Sequence, residues 1–190
     1  MSDLEASALI VIDVQLGFDD DAGYWGARKN PDCDDNIRRL LDAWRADGRR
    51  VVLVRHDSAD PCSPLHPGQA GNAFKPGIHG PHDLLVTKRV NSSFHGAPDL
   101  DAWLRGHDVA QIVVCGITTN HCCETTSRVG GSLGYGVRFA LDATYTFDRT
   151  GPDGTRMTAA ELARATATNL HGEFAAVVAT ADLLPAESRG

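Results

Sequence analysis

Long apolar runs are missing from this sequence. Stretches such as Ala8–Ile12 fall far short of the roughly 20 residues that cross a bilayer, so no membrane partner is expected. A surplus of positive charge is missing too: 18 Lys and Arg stand against 25 Asp and Glu, for a formal charge of -7, and the basic residues are scattered. Without a basic stripe to neutralise phosphates, nucleic acid is not an expected partner. The opening residues lack the basic-then-apolar order of a secretory leader, and the five cysteines (Cys33, Cys62, Cys115, Cys122, Cys123) are an odd number. Reduced thiols in a cytoplasmic protein, with no disulfide framework, are the expectation. Internal repeats, low-complexity tracts and an interdomain linker are also absent. At 190 residues the chain can bury one full core but not two, which predicts a single domain over 1–190.

What is present is a series of short Val- and Ile-rich runs at Ala8–Ile12, 51–54, 84–86, 112–115, 137–141 and 175–178. None alternates with polar residues, as is usual for strands buried on both faces. Helical signals lie between them. Asn30 and Pro31 suit an N-cap and first helical position, Ile37, Leu40, Leu41 and Trp44 form one apolar stripe, and Gly48 is a stop. A second helix is predicted from Pro98 to Gly106 with Leu100, Trp103 and Leu104 inward, and a third from Thr119 or Asn120 to about Gly134. A fourth opens on the capping-box pair Thr158 and Glu161 and runs to about His171. This alternation predicts an α/β fold: one three-layer Rossmann-like domain whose six-stranded parallel sheet, in the order 3-2-1-4-5-6, is flanked by helices. Ligands of such sheets sit beyond the carboxyl ends of the strands. The segment 57–81, rich in proline and glycine, breaks the alternation and reads as a lid or binding loop.

Three chemistry-bearing positions follow strands: Asp13, Lys88 and the Cys122-Cys123 pair. By position alone Asp13 also reads as a loop carboxylate or cap, and Lys88 as a solvated lysine. Cys122 falls in the first turn of the third helix, where unpaired N–H groups and the helix dipole would favour thiolate and could hold an oxyanion. A small buried thiol is the equal alternative there, and it suits Cys115 and Cys123. Phe18, Tyr24 and Trp25 follow Asp13 and read as the aromatic side of a small pocket or as ordinary packing, and His56 at the end of the second strand is a candidate for the pocket wall.

Residues 114–126, Val-Cys-Gly-Ile-Thr-Thr-Asn-His-Cys-Cys-Glu-Thr-Thr, resemble the nucleophile segment of isochorismatase-like cysteine hydrolases, a superfamily that includes nicotinamidases and N-carbamoylsarcosine amidases. Residues 8–15 look like its first strand with the catalytic aspartate, and residues 87–94 like its lysine segment. The resemblance runs from about residue 7 to 184 and includes 142–148. It implies Cys122 as nucleophile, Asp13 as proton acceptor and donor, and Lys88 as the orienting cation. It also implies a cis peptide at Ile117-Thr118 and an oxyanion hole from the N–H groups of Thr118 and Cys122.

The implied reaction is hydrolysis of a C–N bond in a small carboxamide, ureido or lactam substrate through a thioester, with no cofactor, in a homodimer or homotetramer. The sequence departs from the metal-binding nicotinamidases, since Arg55, His56 and Asp57 lack an Asp-x-His spacing and His66, His79 and His82 lie in the loop, so no metal is expected. Rival readings are an isochorismatase-type vinyl ether hydrolase, which needs no thiol, and a noncatalytic scaffold or redox sensor of the same fold.

Overall fold

The computed structural model describes residues 4, 6–19, 24–26 and 30–185; the opening residues read for a leader and positions 20–23 and 27–29 of the aromatic loop lie outside these. In chain order the elements are β1 (Ala8–Ile12), α1 (Cys33–Ala46), β2 (Arg50–His56), β3 (Leu84–Lys88), α2 (Leu100–Gly106), β4 (Gln111–Ile117), α3 (Glu124–Ser132), β5 (Gly136–Tyr145), β6 (Arg149–Thr150), β7 (Arg156–Met157), α4 (Ala159–Leu170), β8 (Ala176–Val178) and α5 (Thr180–Leu183). The sheet order is β3-β2-β1-β4-β5-β8 with every pairing parallel, which is the order expected from the sequence with β8 as sixth strand. The antiparallel β6-β7 hairpin has no counterpart in the sequence reading.

The strands lack polar alternation because both sheet faces are covered. Leu9, Val11, Val51, Leu53, Val113 and Cys115 pack with Ile37, Leu40, Leu41 and Trp44 of α1. Their neighbours Ala8, Ile10, Ile12, Val52, Val54, Ile112 and Val114 face the other way, against Leu100 and Leu104 of α2 and Leu170 of α4. Each fully buried Leu or Ile contributes about 1.5–3 kcal/mol, and Leu40→Ala would cost about 2–5 kcal/mol through the cavity it leaves. No helix among the described residues is long and apolar enough to cross a membrane.

Helix starts depart from the sequence reading in instructive ways. Asn30 does not cap α1. It sits in the left-handed region at φ 74° and its amide donates to the carbonyls of Asp142 (2.8 Å) and Thr144 (2.7 Å), so β5 has claimed the side chain and the helix begins three residues later. Likewise α2 starts at Leu100, capped by Asp99, whose carboxylate accepts from the Ala102 N–H, and Trp103 is only partly buried. The third helix opens with a π turn, Thr119–Cys123, before α3. The Thr158-Glu161 capping box at α4 is formed as expected.

Candidate active site

Strand ends assemble the site. β1 stops at Ile12, and Asp13 turns into the left-handed region (φ 52°), a conformation Asp tolerates better than most residues. Its N–H still donates to the Val54 carbonyl at 2.9 Å, which anchors it to β2. His56 and Lys88 are register partners at the ends of β2 and β3, so their side chains share a face. Across β1, Gly116 of β4 has φ 126° and lies so close to Ile12 that any Cβ would collide with the Ile12 carbonyl; only glycine lets these two strand ends meet. The chain then passes a cis peptide at Ile117-Thr118 into the π turn that carries Cys122.

These elements bring Asp13, Lys88 and Cys122 together. The Lys88 ammonium donates to Asp13 Oδ2 at 2.6 Å and to Cys122 Sγ at 3.3 Å, and lies 3.3 Å from His56 Nδ1. Both side chains of the Asp13-Lys88 pair are fully buried. Asp13 Oδ1, also buried, has no hydrogen-bond partner among the described residues. An unpaired buried carboxylate oxygen costs free energy, so its presence beside a thiol points to use rather than to stability.

Burial pushes the Cys122 thiol up to about 12 and the nearby Asp13 charge adds to this, while Lys88 opposes it. This runs against the sequence reading, in which a helix start favours thiolate: burial and a neighbouring carboxylate both act to keep the proton on sulfur. For Lys88, burial alone would favour the neutral amine, but the Asp13 charge and the Cys122 contact reverse the balance and hold the ammonium above its ordinary value. Burial also lowers His56, with Asp13 opposing and Lys88 reinforcing the shift. An ammonium can only donate, so His56 Nδ1 is the acceptor and the ring proton resides on Nε2.

Cys123, one residue on, is fully buried in the α2 and α4 side of the core, and Cys115 is fully buried inside β4. The Thr118 carbonyl accepts from the N–H groups of His121 (3.3 Å) and Cys123 (3.2 Å), passing over that of Cys122. The Thr118 N–H itself makes no hydrogen bond among the described residues. These two N–H groups are the ones expected to form an oxyanion hole.

A cavity of about 140 Å³ opens over the cluster. Phe18, Trp25 and Phe147 form one wall, with Phe18 and Trp25 nearly parallel to Phe147 (20° and 22°). Tyr24 does not line the cavity: half-exposed, it sits edge-on behind Trp25. His56 does line it, and its backbone is clamped by Gln15, whose amide oxygen accepts from the His56 N–H and whose amide nitrogen donates to the His56 carbonyl (2.8 and 3.0 Å). Asn72 of the 57–81 loop donates to that carbonyl as well, and to the Leu65 carbonyl and the Asp57 carboxylate. Sequence reasoning missed Gln15 and Asn72. It also missed Asn91, Leu65, His121, Phe147 and Arg149 in the lining; the signal for Phe147 and Arg149 was their place just past a strand's carboxyl end. A larger groove, of about 690 Å³, runs along the alanines of α4, but no cysteine, histidine or lysine lines it, so size does not locate the chemistry.

Among the described residues, only Asp13, His56 and Cys122 bring three possible metal-donor atoms together, within 4.8 Å of one another. The Lys88 ammonium touches all three and already fills the cation position. Asp57, next to His56, is engaged by Arg55 and Asn72.

A doubly wound parallel sheet with a buried carboxylate, ammonium and thiol at its carboxyl edge defines an α/β protein whose site is built around a cysteine. A family model described as Isochorismatase domain matches residues 7–182, and the chain belongs to that family. It is 38% identical to the isochorismatase family protein YrdC of Bacillus subtilis (strain 168) over 95% of both chains. A solved isochorismatase-family structure from Chromobacterium violaceum superposes with a TM-score of 0.88 at 38% identity, covering 94% of this chain and 92% of that one. Relatives at lower identity include Nicotinamidase 3 of Arabidopsis thaliana (29%; 90% of this chain, 84% of that one) and Ureidoacrylate amidohydrolase RutB of Cronobacter sakazakii (28%; 74% and 75%).

Proposed function

We propose that this chain is a cysteine hydrolase that cleaves a carbon–nitrogen bond of a small carboxamide, ureido or lactam substrate through a thioester on Cys122. The observation that carries the reading is the Lys88 ammonium donating to both Asp13 Oδ2 and Cys122 Sγ in a buried site, with Asp13 Oδ1 without a partner among the described residues. Asp13 takes the thiol proton as sulfur attacks the carbonyl carbon. The negative charge passes from Asp13 to the substrate oxygen, so with that oxygen counted the net charge of the site is unchanged and Lys88 stabilises it before and after the step. The N–H groups of Thr118 and Cys122 receive the oxyanion, worth about 10²–10³-fold in rate per donor in comparable sites. Asp13 then protonates the departing nitrogen as the C–N bond breaks. Water, losing its proton to Asp13, attacks the thioester, and that proton returns to sulfur as the acid leaves.

Two relatives, a nicotinamidase and an amidohydrolase by name, support the reaction class. The vinyl ether reading is weaker because that reaction leaves the buried Cys122–Lys88 contact without a task. The test is ammonia release screened over amides, ureido acids and lactams. Release lost in Cys122→Ala and kept in Cys123→Ala supports the reading; release kept in a folded Cys122→Ala variant overturns it. A homodimer or homotetramer acting in the cytoplasm completes the proposal, and sedimentation together with cell fractionation tests that part.

A further inference from the structure

An ammonium brings three hydrogens into a site where the Lys88 side chain is fully buried. Two of them have partners in the proposed reaction, Asp13 Oδ2 at 2.6 Å and Cys122 Sγ at 3.3 Å. The third has one acceptor among the described residues, His56 Nδ1 at 3.3 Å. Leaving that hydrogen unpaired in a buried site would invite the ammonium to turn away from one of its other two partners.

The sheet sets the direction in which His56 faces. It is the register partner of Lys88, at the end of β2 beside the end of β3. On the other side of β2 the ladder runs out, because the register with β1 ends at Ile12 and Val54. The peptide groups of His56, two residues beyond, would meet no strand there. The Gln15 side chain stands in for one: its amide oxygen accepts from the His56 N–H at 2.8 Å and its amide nitrogen donates to the His56 carbonyl at 3.0 Å. Asn72 donates to the same carbonyl at 3.1 Å. These bonds satisfy a backbone, and they also fix the direction in which the imidazole leaves it. Among the described residues the ring makes no hydrogen bond besides that to Lys88, so none competes for its orientation.

An imidazole also suits the place electrically. Asp13 and Lys88 cancel each other, and a second carboxylate at position 56 would leave the cluster negative and hold the proton on Cys122 more firmly. A neutral ring accepts without adding charge, and burial, the largest influence on His56, favours that neutral form.

We propose that His56 is a positioning residue: its Nδ1 takes the third ammonium hydrogen of Lys88 and so keeps the other two on Asp13 and Cys122. This rests on the hydrolase reading and adds to it a residue that acts through the lysine.

The test pairs His56→Leu, which removes the acceptor, with His56→Asn, whose amide oxygen can accept close to the backbone as Nδ1 does. Turnover is measured on whichever amide, ureido or lactam compound releases ammonia in the screen. His56→Leu should lower kcat about ten- to hundredfold with KM within about threefold, the loss expected for one hydrogen bond to a charged group, and His56→Asn should regain most of it. Equal losses in the two variants, or a raised KM with kcat intact, overturn the positioning role, while Cys122→Ala separately decides whether the chain is a cysteine hydrolase. A second readout needs no substrate. In protein labelled with nitrogen-15 histidine, the His56 ring should show its proton on Nε2, and its Nδ1 signal should move towards that of a free unprotonated nitrogen in Lys88→Met. A proton on Nδ1, or an Nδ1 signal that Lys88→Met leaves in place, overturns the proposal even where His56→Leu fails to fold.

Discussion

Two lysines are buried among the described residues, and they are buried differently. Lys75, in the 57–81 loop, donates to Asp19 (2.8 Å), to Asp34 of α1 (3.2 Å) and to the hydroxyl of Tyr145 in β5 (3.1 Å). Its aspartates keep some contact with solvent, at 42% and 16% side-chain exposure. Lys88 has one carboxylate partner, fully buried, and spends its remaining hydrogens on a thiol and a neutral imidazole. One network is saturated with oxygen acceptors and ties the loop to three other parts of the chain. The other tolerates weak acceptors and a bare carboxylate oxygen. Satisfaction marks the clamp and its shortfall marks the chemistry, since a site that must move protons cannot have every lone pair occupied.

Breaking the Lys88 side is expected to have the largest effect. Cys122→Ala should lower turnover by on the order of 10⁴-fold or more, with the melting temperature nearly unchanged, as measured by ammonia release beside thermal unfolding. Asp13→Asn should cost about 10²–10⁴-fold, the range for a lost general acid–base. Lys75→Met sharpens the contrast. It should destabilise by about 1–3 kcal/mol in denaturant unfolding, by stranding partly buried carboxylates, while kcat stays within a few-fold of wild type. A larger loss of kcat than of stability would show that the two networks are not separable.

A smaller effect is expected from pH. His56 and His121 both titrate lower in the folded chain than in the unfolded one, where the ordinary value is 6.5. The unfolded chain then binds more protons as the medium acidifies. The stabilising contribution is full above 6.5 and is lost as pH falls through the folded values, so unfolding midpoints taken from pH 7.5 to 5 should decline. His56→Gln should flatten part of that slope. The smallest effect expected is from chelation. Dialysis against a chelator should leave turnover unchanged, because Lys88 holds the cation position and N–H groups serve the oxyanion. Activity lost on dialysis and restored by zinc, iron or manganese would contradict this.

Much of this arrangement is legible in the amino-acid sequence itself. Ile37, Leu40, Leu41 and Trp44 announce the face of α1, and Asp13, Lys88 and Cys122 stand where strand ends of a doubly wound sheet converge. What escapes has physical reasons. The capping signal at Asn30 misleads because its amide is taken by carbonyls more than 100 positions away, which local patterns do not register. The two-residue strands of the β6-β7 hairpin are too short to show periodicity, and Arg149 goes unread with them. Gln15 and Asn72 act through backbone groups of His56, a partnership that has no sequence spacing. The state of Cys122 reads in the wrong direction because burial and the Asp13 charge are tertiary effects, while the helix start is local.

The most direct measurement is the mass of Cys122 during turnover. With the amide or ureido substrate that the ammonia screen identifies, acid-quenched protein should carry the acyl group on the Cys122 peptide and leave Cys123 unmodified, and Asp13→Asn should slow adduct formation and ammonia release together by about 10²–10⁴-fold. Steady ammonia release from wild type with Cys122 always unmodified, together with release surviving in Cys122→Ala, would contradict the account.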